Sequence, residues 1–134
     1  MKLLMVQPSH VDKAWKDGAV CLEQACELVD EITGSQLKML LARGERVLVA
    51  MQDKGEIVGW SCYRVDQLPN LRVLFVTDLV APHAHFEAFW GEVKQLAETL
   101  GCSRVRCAAP DAQARLYRMK LGMTPIYTTL EAKI

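Results

Sequence analysis

Between residues 11 and 32 the apolar positions Val11, Trp15, Leu22, Ala25, Cys26 and Val29 recur at roughly helical spacing, with Gly18 as an interruption. A short strand is predicted before them at 3–6, and Pro8-Ser9 supplies a turn and helix cap. Gly34-Ser35 restarts a shorter helix through Leu37, Leu40 and Leu41, which Arg43-Gly44 ends. The pattern then changes period. The runs 47–51 and 57–63 read as strands joined across Asp53-Lys54-Gly55, and after a loop at 66–70 the run 71–81 is a long strand closed by Pro82.

From Phe86 the period returns to three and four through Phe89, Trp90, Val93, Leu96, Ala97 and Leu100, with Gly101 as the stop. Residues 103–108 alternate as a strand, and Asp111 is a candidate N-cap for a helix over 112–121 that buries Ala112, Leu116 and Met119. Gly122 ends that helix and 125–130 is predicted as a last strand. The order β-α-α-β-β-β-α-β-α-β implies an α/β fold with a mixed sheet and helices on both faces.

Composition narrows the class. Of 134 residues, 51% are hydrophobic and 24% charged, and no linker or repeat divides them, so one domain over 1–134 is expected. Sixteen basic residues balance sixteen acidic ones, so no nucleic-acid footprint is evident; Arg104, Arg106, Arg115, Arg118 and Lys120 cluster late in the chain and read as solvated faces before a basic strip. Five cysteines without a CxxC pair favour a reducing, cytoplasmic setting, and with three scattered histidines they give no metal-ligand pattern. The apolar start at 1–6 is too short for a signal-peptide core, and no apolar run approaches the ~20 residues that a bilayer requires.

Three local patterns are more specific than the element order. Leu79-Val80-Ala81-Pro82 ends the long strand, Ala97 and Gly101 close the helix that follows, and Leu116-Tyr117 precedes Gly122-Met123. Together they resemble the GNAT N-acyltransferases, whose signature has Phe where Met123 stands. The resemblance implies that acetyl-CoA or another acyl-CoA lies where the long strand and its neighbour splay apart, while a primary amine of a small molecule or protein attacks from the other side. It further implies that Tyr117 protonates the thiolate leaving group and that backbone N–H groups near Leu79 and Val80 hold the thioester or pantetheine.

For the base, Asp78 is the candidate: strand alternation puts it on one face with Leu74, Val76 and Val80, where a carboxylate requires a partner. Two readings stand, a proton acceptor or a structural carboxylate met by Thr77, a nearby arginine or a helix N-terminus. Glu56 and Glu87 are reserves.

One part of the family pattern is missing. Its phosphate loop uses glycines so that consecutive N–H groups close around a diphosphate. Here the run from Pro82 to Trp90 has no glycine, and the interval from Pro82 to Ala97 is shorter than in the family. His83, His85 and Phe86 are the residues left to meet a donor there, and Glu87 would repel it. The alternative is therefore a non-catalytic GNAT-like binding or assembly module, with homo-oligomerisation among its expected properties and Trp60, Tyr63, Phe86, Phe89 and Trp90 as a contact surface.

Overall fold

Lys54 and Gly55 both take positive φ, 52° and 81°, between β2 (Val47–Asp53) and β3 (Glu56–Gln67). Two successive left-handed residues make the tight turn whose twist matches that of paired strands. In the computed structural model, which describes residues 1–81 and 86–134, this hairpin is the centre of a five-stranded sheet. β1 (Lys2–Val6) lies outside β2, and β4 (Arg72–Val80) and β5 (Arg104–Cys107) follow β3, giving the order β1-β2-β3-β4-β5. All neighbours are antiparallel except β4 and β5, which are parallel.

Two apolar layers cover the sheet. On one face α1 (Val11–Lys16), α2 (Leu22–Cys26) and α3 (Gly34–Ala42) bury Val11, Trp15, Leu22, Leu37 and Leu41 against Leu48, Trp60 and Cys62. Thr33 and Gln36 form a reciprocal capping box at the start of α3, which satisfies two free amide donors. On the other face a 3₁₀ turn (Phe86–Phe89) and α4 (Trp90–Thr99) bury Phe86, Phe89, Val93 and Leu96 against Val49, Tyr63 and Leu74. The five aromatics proposed as a contact surface are thus not one: Trp60, Tyr63, Phe86 and Phe89 are buried, and Trp90 is half-buried.

The C-terminal third departs from the sequence expectation. In α5 (Asp111–Leu121) the inward row is Ala114, Tyr117 and Leu121, while Ala112, Leu116 and Met119 face outward. Large apolar side chains occur all round this helix, so spacing alone does not fix its rotation; the Tyr117 ring, 6.0 Å from Phe86, settles it. Asp111 is the first helical residue rather than the cap, which is Pro110. Residues 125–130 form no strand, because no described strand lies beside them to accept a ladder. Val29 is exposed, since α2 stops at Cys26.

Candidate functional site at the split between β4 and β5

β4 and β5 pair only from Val73 to Val76 against Arg104 to Cys107. Beyond Val76 the pairing ends, so among the described residues the β5-facing backbone groups of residues 77–80 have no strand partner. On its other side β4 stays paired with β3 through Val80, but with an irregularity: Cys62 faces Asp78 while Tyr63 faces Val76. Thr77 is therefore the extra residue of a bulge. Close approach here depends on Gly59, where a Cβ would stand 2.8 Å from both the Val80 carbonyl oxygen and the Ala81 Cβ.

The bulge corrects the face expected for Asp78. Strict alternation puts Asp78 with Leu74 and Val76, but one inserted residue reverses the parity. Leu74, Val76 and Leu79 pack on the α4 side, whereas Val80, and Cys62 opposite Asp78, pack on the α1–α3 side. Only Val80 remains on the Asp78 face. There Arg46 Nη1 lies 3.4 Å from Asp78 Oδ2, and Thr77 Oγ1 donates to the same oxygen at 2.8 Å. Among the described residues Oδ1 has no hydrogen-bond partner. The carboxylate is also close enough to the thiols of Cys26 and Cys62 to help raise their pKa values, although burial is the larger cause.

Tyr117 lies across the sheet from Asp78. It extends from the inner row of α5 into the apolar layer that holds Leu79 and Phe86, and Gln113 Nε2 donates to its Oη at 2.7 Å. Burial pushes the phenol above its ordinary value; the Gln113 bond works the other way, and Cys107 and Glu87 add to the rise. A phenol so placed is protonated at neutral pH, as a proton donor must be. Two further hydroxyls on this face were not picked out by sequence reasoning. Ser61, paired with Leu79, and Tyr63 are fully buried, and neither hydroxyl reaches a partner among the described residues. Their signal in the sequence is faint: two polar atoms at alternate positions of an apolar strand.

The start of α4 is less hospitable. His83 and His85 lie outside the described residues. Phe86 is buried in the core, its ring 6.2 Å from Trp90, and Glu87 Oε1 sits 3.9 Å from Lys120 Nζ. Glu56 is exposed at the β2–β3 turn, remote in register from the split. Among the described residues no group of acidic, Cys and His side chains is placed to hold a metal, and no helix is long and apolar enough to cross a membrane. Two open clefts, of about 560 and 530 Å³, lie elsewhere, one beside Arg115, Arg118 and Met123 and the other beside His10, Asp17 and Trp60. Strand separation rather than cavity volume marks the site.

No protein-family model and no curated protein matches the sequence. Solved structures do match its fold. A probable acetyltransferase superposes with a TM-score of 0.72 at 15% identity, covering 100% of this chain and 98% of its own. The ribosomal-protein-alanine N-acetyltransferase from Brucella melitensis biovar Abortus 2308 gives 0.70 at 14% identity, with both chains covered in full at 100%. An aminoglycoside acetyltransferase from an uncultured soil metagenomic sample, solved with trehalose, gives 0.70 at 13% identity and covers 99% of this chain and 95% of its own. The chain has the α/β mixed-sheet fold of the GNAT acetyltransferases.

Proposed function

We propose that this chain is an N-acyltransferase that moves an acetyl or other acyl group from acyl-CoA to a primary amine. The observation that carries the reading is the Thr77 bulge at the place where β4 leaves β5, because it sends Asp78 to one face of the sheet and Leu79 to the Tyr117 face. A donor on the α4–α5 side and an amine from the α1–α3 side would then meet at one opening. In this scheme Asp78 Oδ1 accepts the proton of the amine, free N–H groups near Leu79 and Val80 hold the acyl carbonyl, and Tyr117 Oη protonates the departing thiolate.

The two ends of an acyl-CoA fit unequally. The thioester end would meet open β4 backbone and a protonated phenol, with the hydroxyls of Ser61 and Tyr63, unpartnered among the described residues, buried behind them on β3. At the diphosphate end the described residues offer the Glu87 carboxylate in the first turn after 85, which disfavours an anion. That carboxylate, with the Arg46–Asp78 pair, favours the second reading, a GNAT-like binding module without acyl transfer. The five unbridged cysteines support a reducing, cytoplasmic setting for either.

The test is release of free thiol from acetyl-CoA in the presence of a panel of primary amines, from polyamines to peptide N-termini. Amine-dependent release that Tyr117→Phe lowers about a hundredfold supports transfer. No release across the panel from a folded chain that also fails to bind acetyl-CoA supports the module.

A further inference from the structure

Register places Arg64, Phe75 and Arg106 side by side across β3, β4 and β5, one residue before the pairing of β4 with β5 ends. Register partners share a face. Leu74 and its partner Val105 pack on the α4 side, so this row points to the α1–α3 side. Asp78 lies on that side too, in the next row, opposite Cys62 two residues from Arg64 along β3.

The charges of this face do not cancel. Arg46 is paired with Asp78, and Arg64 Nε donates to Asp66 Oδ1 at 2.9 Å while its guanidinium lies 4.3 Å from the centre of the Phe75 ring. Arg106, half-buried on the other side of Phe75, has neither a hydrogen bond nor an ion pair among the described residues. Glu27, Asp30 and Glu31, exposed between α2 and α3, do not reach it. A half-withdrawn guanidinium with its donor fork free suits a planar anion, above all a carboxylate. Neighbouring rows on one face of a sheet are about 7 Å apart, so a carboxylate at Arg106 lies within a few bonds of an amine at Asp78.

We propose, resting on the acyltransferase reading that brings the amine to Asp78 Oδ1, that the acceptor also carries a carboxylate, which Arg106 binds. The substrate class is then an amine with an acid group close by: an amino acid or an acidic peptide terminus. Arg106 acts as a specificity-determining residue. An uncharged amide in place of the acid leaves the guanidinium without a counter-charge, and a second ammonium there is repelled.

The test is thiol release from acetyl-CoA with two matched pairs of acceptors, L-alanine against L-alaninamide and the peptide amides alanyl-glutamate against alanyl-glutamine. The wild-type chain, Arg106→Gln and Arg106→Lys are compared, and the same acceptors are titrated calorimetrically. Arg106 has no partner to lose, so both variants fold. In at least one pair the acid is expected to exceed its amide in kcat/KM by about tenfold or more. That ratio falls about tenfold in Arg106→Gln and returns in part in Arg106→Lys. Preference in the first pair points to an amino acid, in the second to an acidic peptide terminus. Release that ignores the carboxylate in both pairs, or a preference that Arg106→Gln leaves intact, overturns the proposal while transfer stands. If no amine releases thiol, transfer is contradicted and the titrations decide. Carboxylate-dependent binding that Arg106→Gln weakens about tenfold keeps the anion site, and its absence removes both.

Discussion

Arg46 Nη1 stands 3.4 Å from Asp78 Oδ2, and the two side chains retain only 20% and 9% of their exposure. A pair so withdrawn from water is costly to break from one side, because the remaining charge is left without a partner. Arg46→Leu is expected to lower the unfolding free energy by on the order of 3 kcal/mol. Urea denaturation measures it, and a loss within about 0.5 kcal/mol, the range of ordinary surface substitutions, would show that the pair is solvated in solution.

Asp78→Asn keeps the shape and an acceptor for Thr77 but leaves Arg46 without its counter-charge, so its kinetics are read at a temperature where the variant is shown to be folded. With Asp78 as base, turnover at neutral pH falls about a hundredfold or more while KM for the acyl donor holds. Steady-state kinetics with a reactive amine decides it. Unchanged turnover would leave Asp78 a structural carboxylate.

Tyr117→Phe removes the hydroxyl that receives the Gln113 bond. Turnover should fall roughly a hundredfold, with little change in donor affinity and a stability loss of about 1 kcal/mol or less. The phenol is active in its protonated form, and burial raises its pKa above 10.0. The wild-type rate therefore holds through neutral pH and declines only on the alkaline side beyond that ordinary value. That decline should be absent from the residual activity of the variant.

Much of this architecture was legible from local rules. The β2–β3 turn followed from Asp53-Lys54-Gly55, and α3 from its glycine stop and apolar row. The face of Asp78 was not legible, because alternation assumes an unbroken ladder and Thr77 is an insertion visible only once β3 is paired. The rotation of α5 was equally hidden, since Leu116, Tyr117, Met119 and Leu121 leave no single apolar stripe and the Phe86 contact chooses between rows. Residues 125–130 have strand composition, but a strand also requires a neighbour, which local sequence does not report. Tyr117 was reached through the Leu116-to-Met123 pattern, whereas Ser61 and Tyr63 carry no local signature apart from their polarity.

Tyr63 offers a prediction independent of catalysis. Burial pushes its phenol from 10.0 to about 12, with Ser61 working the other way and Cys62 adding to the rise. The folded-state value lies above the unfolded one, so this contribution is full below pH 10 and is lost as pH rises toward 12. The loss amounts to about 2–3 kcal/mol, to which the raised thiol of Cys62 adds. Tyr63→Phe should flatten its share of that decline and, by removing an unpaired buried hydroxyl, leave neutral-pH stability unchanged or higher by about 1 kcal/mol. Thermal melts from pH 7 to 11.5 follow both effects, and an equally steep decline in the variant would contradict the assignment.

Glu87 bears on whether a donor phosphate can sit at the start of α4. Glu87→Gln removes one negative charge from that turn and is expected to tighten acyl-CoA binding about threefold to tenfold, more at low salt than at high. Equal affinities at both ionic strengths would place the diphosphate elsewhere.

Calorimetric titration of the purified chain with acetyl-CoA tests the acyltransferase account most directly. The account predicts saturable one-to-one binding with a dissociation constant below about 1 mM, weaker than −4 kcal/mol only if the site fails. No heat of binding at millimolar acetyl-CoA, from a chain that melts cooperatively, would contradict it.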